Sequence, residues 1–273
     1  MSRYRTIDLL SQAEKGRANE DRQFVAALER GLRVLRAFAS SRDLLSNGEL
    51  AQRTGLSKPT ISRLTYTLAR LGYLSHGSDT GLYRLGTGAL ALGYASLSNL
   101  DVRKVARPLM QELADYAPGG VVLCARNELE MICLEIRRSP EYFGLGLEIG
   151  DRMPLAITAP GRAYLASLPA DQRQPLLEEM RKSDPARWPQ VHRGIKRAIA
   201  DVAEHGFCMT IGDWYPEIHA VAVPLSATTP YGTLTMNIGG LASLLPIKMI
   251  EKDLGPRLVT IAGRIDDLLK ASV

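Results

Sequence analysis

The stretch GLSKPTISRLTYTLARLGYL, Gly55 to Leu74, decides the fold of the N-terminal third of the chain. Leucine and isoleucine recur in it at the spacing of one helix face, so we expect an α-helix with one side in a core. The opposite face carries cations, hydroxyl groups and an aromatic ring. Because that face begins at a helix N-terminus, where free N–H groups attract anions, it is suited to contact a polyanion. The positions predicted to face the core are Ile61, Leu64, Leu68 and Leu71.

A second, shorter helix precedes this one. Ser46 and Glu49 have the spacing of a capping box, and Gly55 suits the left-handed conformation that ends a helix. Ser57 is placed to cap the next helix, and Pro59 lies in its first turn, where a missing N–H costs little. Two helices joined by a turn of about three to four residues predict a helix-turn-helix.

The residues after this helix predict a β-hairpin. Residues 73–76 and 82–85 alternate as strands do, and Gly77–Gly81 is rich in turn-forming residues. A hairpin directly behind such a helix is a wing, which could contact the backbone or the minor groove of DNA. The alternative is that the polar helix face is only solvated. The candidate DNA-binding residues are Ser46, Ser57, Lys58, Pro59, Thr60, Ser62, Arg63, Tyr66, Thr67, Arg70, His76 and Arg84.

The charge of the chain is unevenly distributed. The formal net charge is +5, but residues 1–100 contain 14 Lys and Arg against 8 Asp and Glu, whereas residues 101–273 contain 20 against 21. The positive excess therefore lies in the first third, with the predicted helix-turn-helix. A basic small domain joined to a neutral larger one indicates a polyanion as the partner of the first part.

Composition bounds the class of protein. At 273 residues with 45% hydrophobic residues, the chain is long enough for two domains with cores. It has no apolar run of 18 residues, and its first 19 residues lack the apolar core of a signal peptide, so we expect a cytoplasmic protein without a membrane segment. Three cysteines without a CxxC spacing indicate free thiols in a reducing compartment.

The stretch from Ser46 to Gly86 resembles the winged-helix module of the IclR (isocitrate lyase regulator) family of bacterial transcription regulators. The resemblance extends from about Phe24 to the C-terminus. It implies a linker helix over the small, apolar segment Thr87–Ser98 and, after it, a domain that binds a small-molecule effector. The residues that carry the resemblance are Leu56, Lys58, Thr60, Arg63, Leu64, Leu68, Gly72, Tyr73, Leu74, Tyr83, Arg84, Leu85 and Gly86.

Three C-terminal stretches resemble the effector-binding domain of that family: Gly150–Ala166, Gly206–Leu225 and Tyr231–Gly240. Strand-like and helical segments alternate here with tight turns, which predicts an α+β domain with a largely antiparallel sheet. The resemblance implies a GAF-like domain whose loops and strand ends enclose a pocket. The candidate effector-binding residues are Phe143, Leu145, Ala159, Pro160, Gly161, Asp213, Trp214, Ile218, Ala220, Asn237 and Gly239.

A carboxylate is the expected anchor group of the effector. Thr158 is placed to cap a short helix, so Ala159 and Gly161 would offer free N–H groups at the positive end of that helix, whereas Pro160 offers none. The side-chain amide of Asn237 could replace the missing donor. Apolar walls would suit an aromatic or branched acid.

The pocket motifs depart from the family pattern, so the resemblance does not identify the effector. Asp213 stands where a longer Glu is common, and its carboxylate would repel an anion unless it binds a hydroxyl or an amine of the ligand. The other departures are Pro160, Glu217 in place of a glycine, and Asn237 and Gly239 in place of serines.

The pattern as a whole predicts four segments. A flexible arm over residues 1–22 precedes the winged helix-turn-helix domain over 23–86, a linker helix over 87–100 and the effector-binding domain over 101–273. We expect a homodimer to which Leu90, Leu92 and Tyr94 of the linker helix contribute, because a two-fold operator needs two copies of the recognition helix. The resemblance adds that a dimer of dimers is common.

No pattern of catalytic or cofactor-binding residues stands out. The sequence has no GxGxxG between a strand and a helix, no HExxH and no nucleophile elbow, so we expect neither an enzyme nor a cofactor. Cys208 and His219 could bind a metal ion, but a buried thiol and a strand-face imidazole are the simpler interpretation.

The interpretation that we favour is a sequence-specific transcription repressor whose operator binding is modulated by a small carboxylate. Two other functions stay open. One is a metabolite-binding or sensory protein without a DNA role. The other is a constitutive DNA-binding protein whose second domain only oligomerises.

Overall fold

A computed structural model describes residues 23–38, 44–98, 101–140, 142, 144–227 and 229–271 of the chain. The chain forms two compact units that divide between Asn99 and Leu100. The predicted arm over residues 1–22 lies outside the described residues. In the described part, each helix is too short or too polar to cross a membrane.

Four helices and a short hairpin make up the described part of the N-terminal unit. The helices are α1 (Ala26–Arg36), α2 (Asn47–Thr54), α3 (Lys58–Arg70) and α4 (Thr87–Ser98), and the antiparallel strands are β1 (Leu74–His76) and β2 (Tyr83–Leu85). Helices α2 and α3 form the helix-turn-helix, and the hairpin behind α3 forms the wing. The predicted winged helix-turn-helix is confirmed.

Helix α2 begins with the predicted capping box. The Ser46 hydroxyl accepts the Glu49 backbone N–H at 3.2 Å, and the Glu49 carboxylate accepts the Ser46 backbone N–H at 2.8 Å. These bonds, the backbone one first, lower the pKa of the Glu49 carboxyl because they favour its charged form. Gly55 ends the helix with a φ of 66°, a conformation that glycine adopts without steric cost.

The core of this unit contains most, but not all, of the predicted α3 stripe. Ile61 is fully buried, and Leu64 and Leu68 pack against the same core. Leu71 is 64% exposed, so its predicted place in the core is wrong. The reason is that Leu71 lies in the C-terminal cap, beyond the last helical residue. Thr65 is buried instead, and its hydroxyl donates to the Ile61 carbonyl at 2.9 Å.

The C-terminal unit is a six-stranded antiparallel sheet with helices packed against it. Its elements in chain order are α5 (Asp101–Tyr116), β3 (Gly120–Asn127), β4 (Glu130–Arg137), β5 (Arg152–Pro154), α6 (Ala159–Ser167), α7 (Ala170–Ser183), α8 (Trp188–His205), β6 (Cys208–Ile211), β7 (Ile218–Pro224), β8 (Leu234–Leu241), α9 (Ile247–Met249), a π-helical turn (Ile250–Leu254) and α10 (Gly255–Ala271). The strand order is β5-β4-β3-β8-β7-β6. The predicted α+β class with an antiparallel sheet is confirmed.

Two elements of this unit are irregular. The edge strand β5 has only three residues and ends at Pro154, which cannot donate to a sheet. The helical region formed by α9 and α10 is interrupted by the π-helical turn. This turn precedes Pro256, whose missing N–H cannot complete an α-helical hydrogen bond.

Small side chains let α6 lie close to the sheet. Ala159 and Ala163 of α6 share a buried cluster with Ala220 and Ala222 of β7. In the same helix, a Cβ added to Gly161 would lie 2.1 Å from the Leu155 carbonyl oxygen, so only glycine fits there. The close approach brings the N-terminus of α6 over the middle strands of the sheet.

Candidate functional site

The polar face of α3 is exposed. Lys58, Arg63 and Arg70 are exposed, and Tyr66 is 65% exposed. Helix α3 contains no acidic residue. Within the part of the chain that the structure describes, the side chains of Lys58, Arg63 and Tyr66 have no hydrogen-bond or ion-pair partner. Two cations and a phenol are therefore available to bind a ligand of negative charge.

The N-terminus of α3 is not capped by a side chain. Ser57 occupies the N-cap position, but its hydroxyl shares a 2.9 Å hydrogen bond with the hydroxyl of Thr60. Ser57 therefore caps the helix only by position. Pro59 lies in the first turn as predicted. The first-turn N–H groups without a side-chain acceptor form a site that suits a phosphate.

Three other candidate hydroxyl groups already have partners within the protein. The Ser46 hydroxyl belongs to the capping box of α2, where it also donates to the Glu49 carboxylate at 2.7 Å. The Ser62 hydroxyl accepts the Asn47 side-chain amide at 3.4 Å. The Thr67 hydroxyl donates to a backbone carbonyl of its own helix. These groups stabilise the helix-turn-helix and are less available to DNA than the cations.

The wing presents the two remaining candidates at the surface. His76 is exposed at the end of β1, and its ring centroid lies 4.5 Å from that of Tyr83. Arg84 is exposed on β2. His76 is the last residue of β1, and Arg84 is the middle residue of β2.

The C-terminal unit contains a cavity with a floor of small side chains. Gly120, Gly239, Ala220 and Thr210 are cross-strand partners on β3, β8, β7 and β6, and all four line the cavity. Because neighbouring strands lie about 4.8 Å apart, this row spans roughly 14 Å. The cavity holds about 500 Å³ of space without atoms, its open mouth included.

The walls of the cavity are mainly apolar and aromatic. They come from β3, β4, β5, β7, the loop after β4 and the loop between β6 and β7. Apolar walls with few polar groups are typical of small-molecule sites. The side chains around the floor are Val122, Ile136, Tyr142, Leu145, Leu147, Met153, Trp214 and Ile218, with Thr158, Ala159 and Pro160 at the start of α6. Phe143 lies outside the described residues.

Two polar side chains in this cavity have unused hydrogen-bonding groups. Asn237 is 4% exposed; its side-chain oxygen accepts the Cys124 thiol at 3.7 Å, and its NH₂ group has no acceptor among the described residues. Thr210 is 5% exposed, and its hydroxyl also lacks a partner within the described ranges. Thr158 is the N-cap of α6 only by position, because its hydroxyl donates to the Pro154 carbonyl at 2.7 Å.

Two candidate pocket residues lie outside the lining. Gly161 packs against the backbone of Leu155 and does not face the cavity. Asp213 is absent from the lining because its carboxylate forms a 2.6 Å ion pair with Arg162, a side chain that is 4% exposed. Its other oxygen accepts the Ile211 N–H at 3.2 Å. The negative charge expected to repel an anion is therefore balanced.

The sequence analysis missed Arg162 and several lining residues. A signal for Arg162 exists, because a lone cation inside the small, apolar stretch Thr158–Ala166 requires a buried partner. Five of the missed lining residues lie outside the three motif stretches: Gly120, Val122, Ile136, Tyr142 and Leu147. The other three, Met153, Thr158 and Thr210, lie within those stretches.

Two family descriptions match the two units. Residues 27–77 match the IclR helix-turn-helix domain, and residues 94–259 match the bacterial transcriptional regulator IclR C-terminal domain. The chain belongs to the IclR family. The family is one of transcription regulators and is not enzymatic.

Individual relatives agree with this assignment of the IclR-family chain. It is 31% identical over 253 residues to the HTH-type transcriptional regulator TsaQ1/TsaQ2 of Comamonas testosteroni, which covers 91% of this chain and 90% of that protein. The crystal structure of an IclR family transcriptional regulator from Brucella abortus is 46% identical, with a TM-score of 0.82, and covers 92% of this chain and 94% of that chain.

A more distant solved structure shares the fold. It is an IclR homolog from Microbacterium hydrocarbonoxydans complexed with 4-hydroxybenzoate, and it is 21% identical with a TM-score of 0.71. The match covers 90% of this chain and 100% of that one.

The candidate metal ligands of this IclR-family chain have other partners. Cys208 donates its thiol to the Ala159 carbonyl at 3.6 Å, and burial raises the pKa of that thiol to about 12. The thiol therefore stays protonated at neutral pH. His219 places Nδ1 2.8 Å from the Leu245 carbonyl oxygen. In the described part of the chain, no group of three or more His, Cys, Asp or Glu could hold a metal ion.

Proposed function

We propose that this IclR-family regulator is a cytoplasmic repressor that binds a double-stranded operator through α3 and the wing, and that a small aromatic or branched acid modulates this binding from the C-terminal cavity. The observation that carries the effector part is the pair of buried, unused donors, Asn237 and Thr210, in an otherwise apolar cavity. The cations of α3, which have no partner among the described residues, support the DNA part.

Contacts to DNA begin in our proposal at the N-terminus of α3. Lys58 and the first-turn N–H groups bind phosphates, and Thr60 and Tyr66 support them with hydroxyl groups. Arg63, five residues after Lys58 on α3, is long and forked enough to bind a guanine edge in the major groove. Its guanidinium has no partner among the described residues, so it has no ion pair there to break.

The DNA part is tested by substituting Arg63 and Lys58. Arg63→Ala should weaken operator binding by about 1–3 kcal/mol and relax specificity at one base pair, and Lys58→Ala should lower the salt slope by about one. Fluorescence anisotropy with a labelled operator at several salt concentrations measures both. Arg181→Ala is the matched control, because Arg181 is an exposed arginine of α7 in the other unit. Unchanged affinity and salt slope in both α3 variants would show that another element contacts DNA.

The effector's carboxylate lies, in our proposal, between the start of α6 and the middle of the sheet. The backbone N–H of Ala159, the amide of Asn237 and the hydroxyl of Thr210 are donors around that point, and Pro160 contributes none. The N-terminus of α6 adds its positive dipole end. The ion pair of Asp213 with Arg162 removes the repulsion that would otherwise oppose an anion.

Calorimetry with a matched pair of ligands tests the carboxylate. We expect 4-hydroxybenzoate to bind more tightly than 4-hydroxybenzamide by about 10- to 100-fold, because hydrogen bonds to a charged group are worth about 1.5–3 kcal/mol. Asn237→Ala should reduce this preference. The solved relative with 4-hydroxybenzoate supports the choice of probe. Equal binding of acid and amide, or an unchanged preference in Asn237→Ala, would contradict the anion site.

A homodimer, and a dimer of dimers, completes the proposal. On α4 the side chains of Leu90, Leu92 and Tyr94 are 71%, 60% and 72% exposed, an apolar surface on a helix of mostly small residues. Exposed apolar patches of this kind mark protein–protein contacts. Analytical ultracentrifugation at micromolar concentration, with and without DNA, measures the assembly. A monomer of 29.9 kDa under both conditions would contradict it.

A further inference from the structure

Arg138 lies next to Tyr142, which lines the cavity, and is not itself a lining residue. It follows β4 directly, and its Nε and Nη2 atoms are buried without a hydrogen-bond partner among the described residues. Its Nη1 atom lies 3.7 Å from a carboxylate oxygen of Glu148. The centre of the guanidinium lies 5.4 Å from the ring centroid of Tyr142, and that ring lines the cavity.

The two unsatisfied atoms form one edge of the guanidinium. Nε–H and one Nη2–H of an arginine point in the same direction, and this edge binds a carboxylate with two parallel hydrogen bonds. Leaving buried donors of a charged group unsatisfied costs free energy, so native proteins rarely do it without a reason. The edge of Arg138 therefore suits an anionic group that comes from outside the chain.

The neighbouring charges leave this edge positively charged. Glu135 is buried, but it accepts hydrogen bonds or ion pairs from Arg103, Arg107 and Arg137, so its charge is balanced elsewhere. Glu148 is about half exposed and faces the opposite nitrogen of Arg138, where water screens it. No carboxylate of the described residues contacts the Nε and Nη2 edge.

The position of Tyr142 relates this edge to the floor of the cavity. The Tyr142 hydroxyl lies 3.5 Å from the position that a Cβ on Gly120 would take, so the ring covers the β3 end of the floor. Thr210 lies at the β6 end of the same row, and Asn237 lies on β8 between them. A ligand along the floor would thus have polar partners at both of its ends.

We propose that the Nε and Nη2 edge of Arg138 binds a second anionic group of the effector at the Tyr142 end of the cavity. The preferred effector is then a rigid diacid, with one carboxylate near Asn237 and Thr210 and the other on Arg138. This inference rests on the proposed effector function of the same cavity. It narrows the ligand class from a monoacid to a dianion.

The test uses two ligands of the same shape that differ by one charge. Terephthalate carries a second carboxylate where 4-carbamoylbenzoate carries an amide. We expect calorimetry of the full-length protein to show about 10- to 100-fold tighter binding of terephthalate. Arg138→Gln should lower this preference to about one. Arg138→Lys should restore part of it, because lysine keeps the charge but loses the fork.

Arg137→Gln is the matched control. It removes the same charge one residue away, from a side chain that pairs with Glu135, and should keep the preference for terephthalate. Thermal melts verify that each variant is folded. The comparison in the parent protein does not depend on any variant.

The possible results separate this inference from the proposed function. Equal binding of the two ligands to the parent, binding of neither while 4-hydroxybenzoate binds, or an undiminished preference in Arg138→Gln overturns the role of Arg138. In each of these cases the proposed function stands if Asn237→Ala still weakens 4-hydroxybenzoate. If no acid binds at all, the proposed function fails and this inference fails with it.

Discussion

The polar face of α3 and the lining of the C-terminal cavity are assembled in different ways. Every residue of the first lies in one helix of 13 residues, spaced by the helical period. The second combines six strands, two loops and the start of α6, with Gly120 and Gly239 as cross-strand partners. A surface of the first kind depends on local sequence, and one of the second kind depends on the register of distant strands. The two units should therefore respond differently to substitution.

The largest effect on stability is expected at Glu135, where a buried cluster of charges links β4 to α5. Glu135 of β4 is 2% exposed and contacts Arg103 at 2.8 Å and Arg107 at 2.9 Å, both on α5. Glu135→Ala removes a buried carboxylate on which these cations converge, so we expect a loss of about 3 kcal/mol or more in the free energy of unfolding.

Urea unfolding followed by tryptophan fluorescence measures this loss. Both tryptophans, Trp188 and Trp214, lie in the C-terminal unit, so the signal reports on that unit alone. Glu112→Ala is the control, because Glu112 of α5 is exposed and forms one surface ion pair with Arg264, worth about 0–1 kcal/mol. If both variants lose equally little, the cluster does not stabilise the contact between α5 and β4.

Gly161→Ala in α6 should cause a smaller loss in the free energy of unfolding. The new Cβ would lie 2.1 Å from a backbone oxygen of Leu155, so α6 must shift away from the turn that contains Leu155, at a cost of about 1–3 kcal/mol. Gly263→Ala in α10 is the matched control. Apart from its chain neighbours and its own helix backbone, no atom of the described residues lies within 4 Å of its added Cβ, so that variant should gain roughly 0.5–1 kcal/mol from helix propensity. Opposite signs in the same urea experiment are the expected outcome, and equal signs would contradict it.

The sequence predicts the N-terminal unit in more detail than the cavity. Its capping box, left-handed glycine and hairpin turn are each encoded within a few neighbouring residues, and they are present in the structure. In the C-terminal unit, the motifs lead to Ala159, Trp214 and Asn237, which line the cavity, but also to Asp213, which does not. Whether Asp213 faces a ligand or Arg162 depends on where α6 lies on the sheet. Periodicity carries no information about that placement.

Ser46→Ala should lower the local stability of α2 by about 1 kcal/mol, within a range of about 0.5–2 kcal/mol. The substitution removes the hydroxyl that accepts the Glu49 N–H at the start of α2. Hydrogen exchange of the α2 amides measures the loss, because the N-terminal unit contains no tryptophan. Ser96→Ala, in α4, is a control for a serine without a capping position. Exchange in α2 that is unchanged relative to this control would contradict the cap.

The capping box also predicts a pH dependence. Its hydrogen bonds lower the pKa of Glu49 in the folded state. A carboxyl whose pKa is lower in the folded than in the unfolded state stabilises the fold above its unfolded pKa, and this contribution is lost as the pH falls through the folded pKa. Protection of α2 should thus decline in acid, and Ser46→Ala should make that decline smaller.

The smallest effect is expected at Leu71, where helical spacing alone predicts a core residue. The side chain is 64% exposed beyond the end of α3, so Leu71→Gln should change the free energy of unfolding of the N-terminal unit by less than about 0.5 kcal/mol. Ile61→Ala, at a fully buried position of the same stripe, should cost about 2–5 kcal/mol. Circular dichroism of thermal unfolding compares the two variants. If Leu71→Gln lowers the free energy of unfolding nearly as much as Ile61→Ala does, Leu71 is buried in solution. Two arrangements would bury it: a further turn of α3, or a partner subunit that covers this residue. A dimer contact and a core contact are then separable, because only the former makes the loss depend on protein concentration.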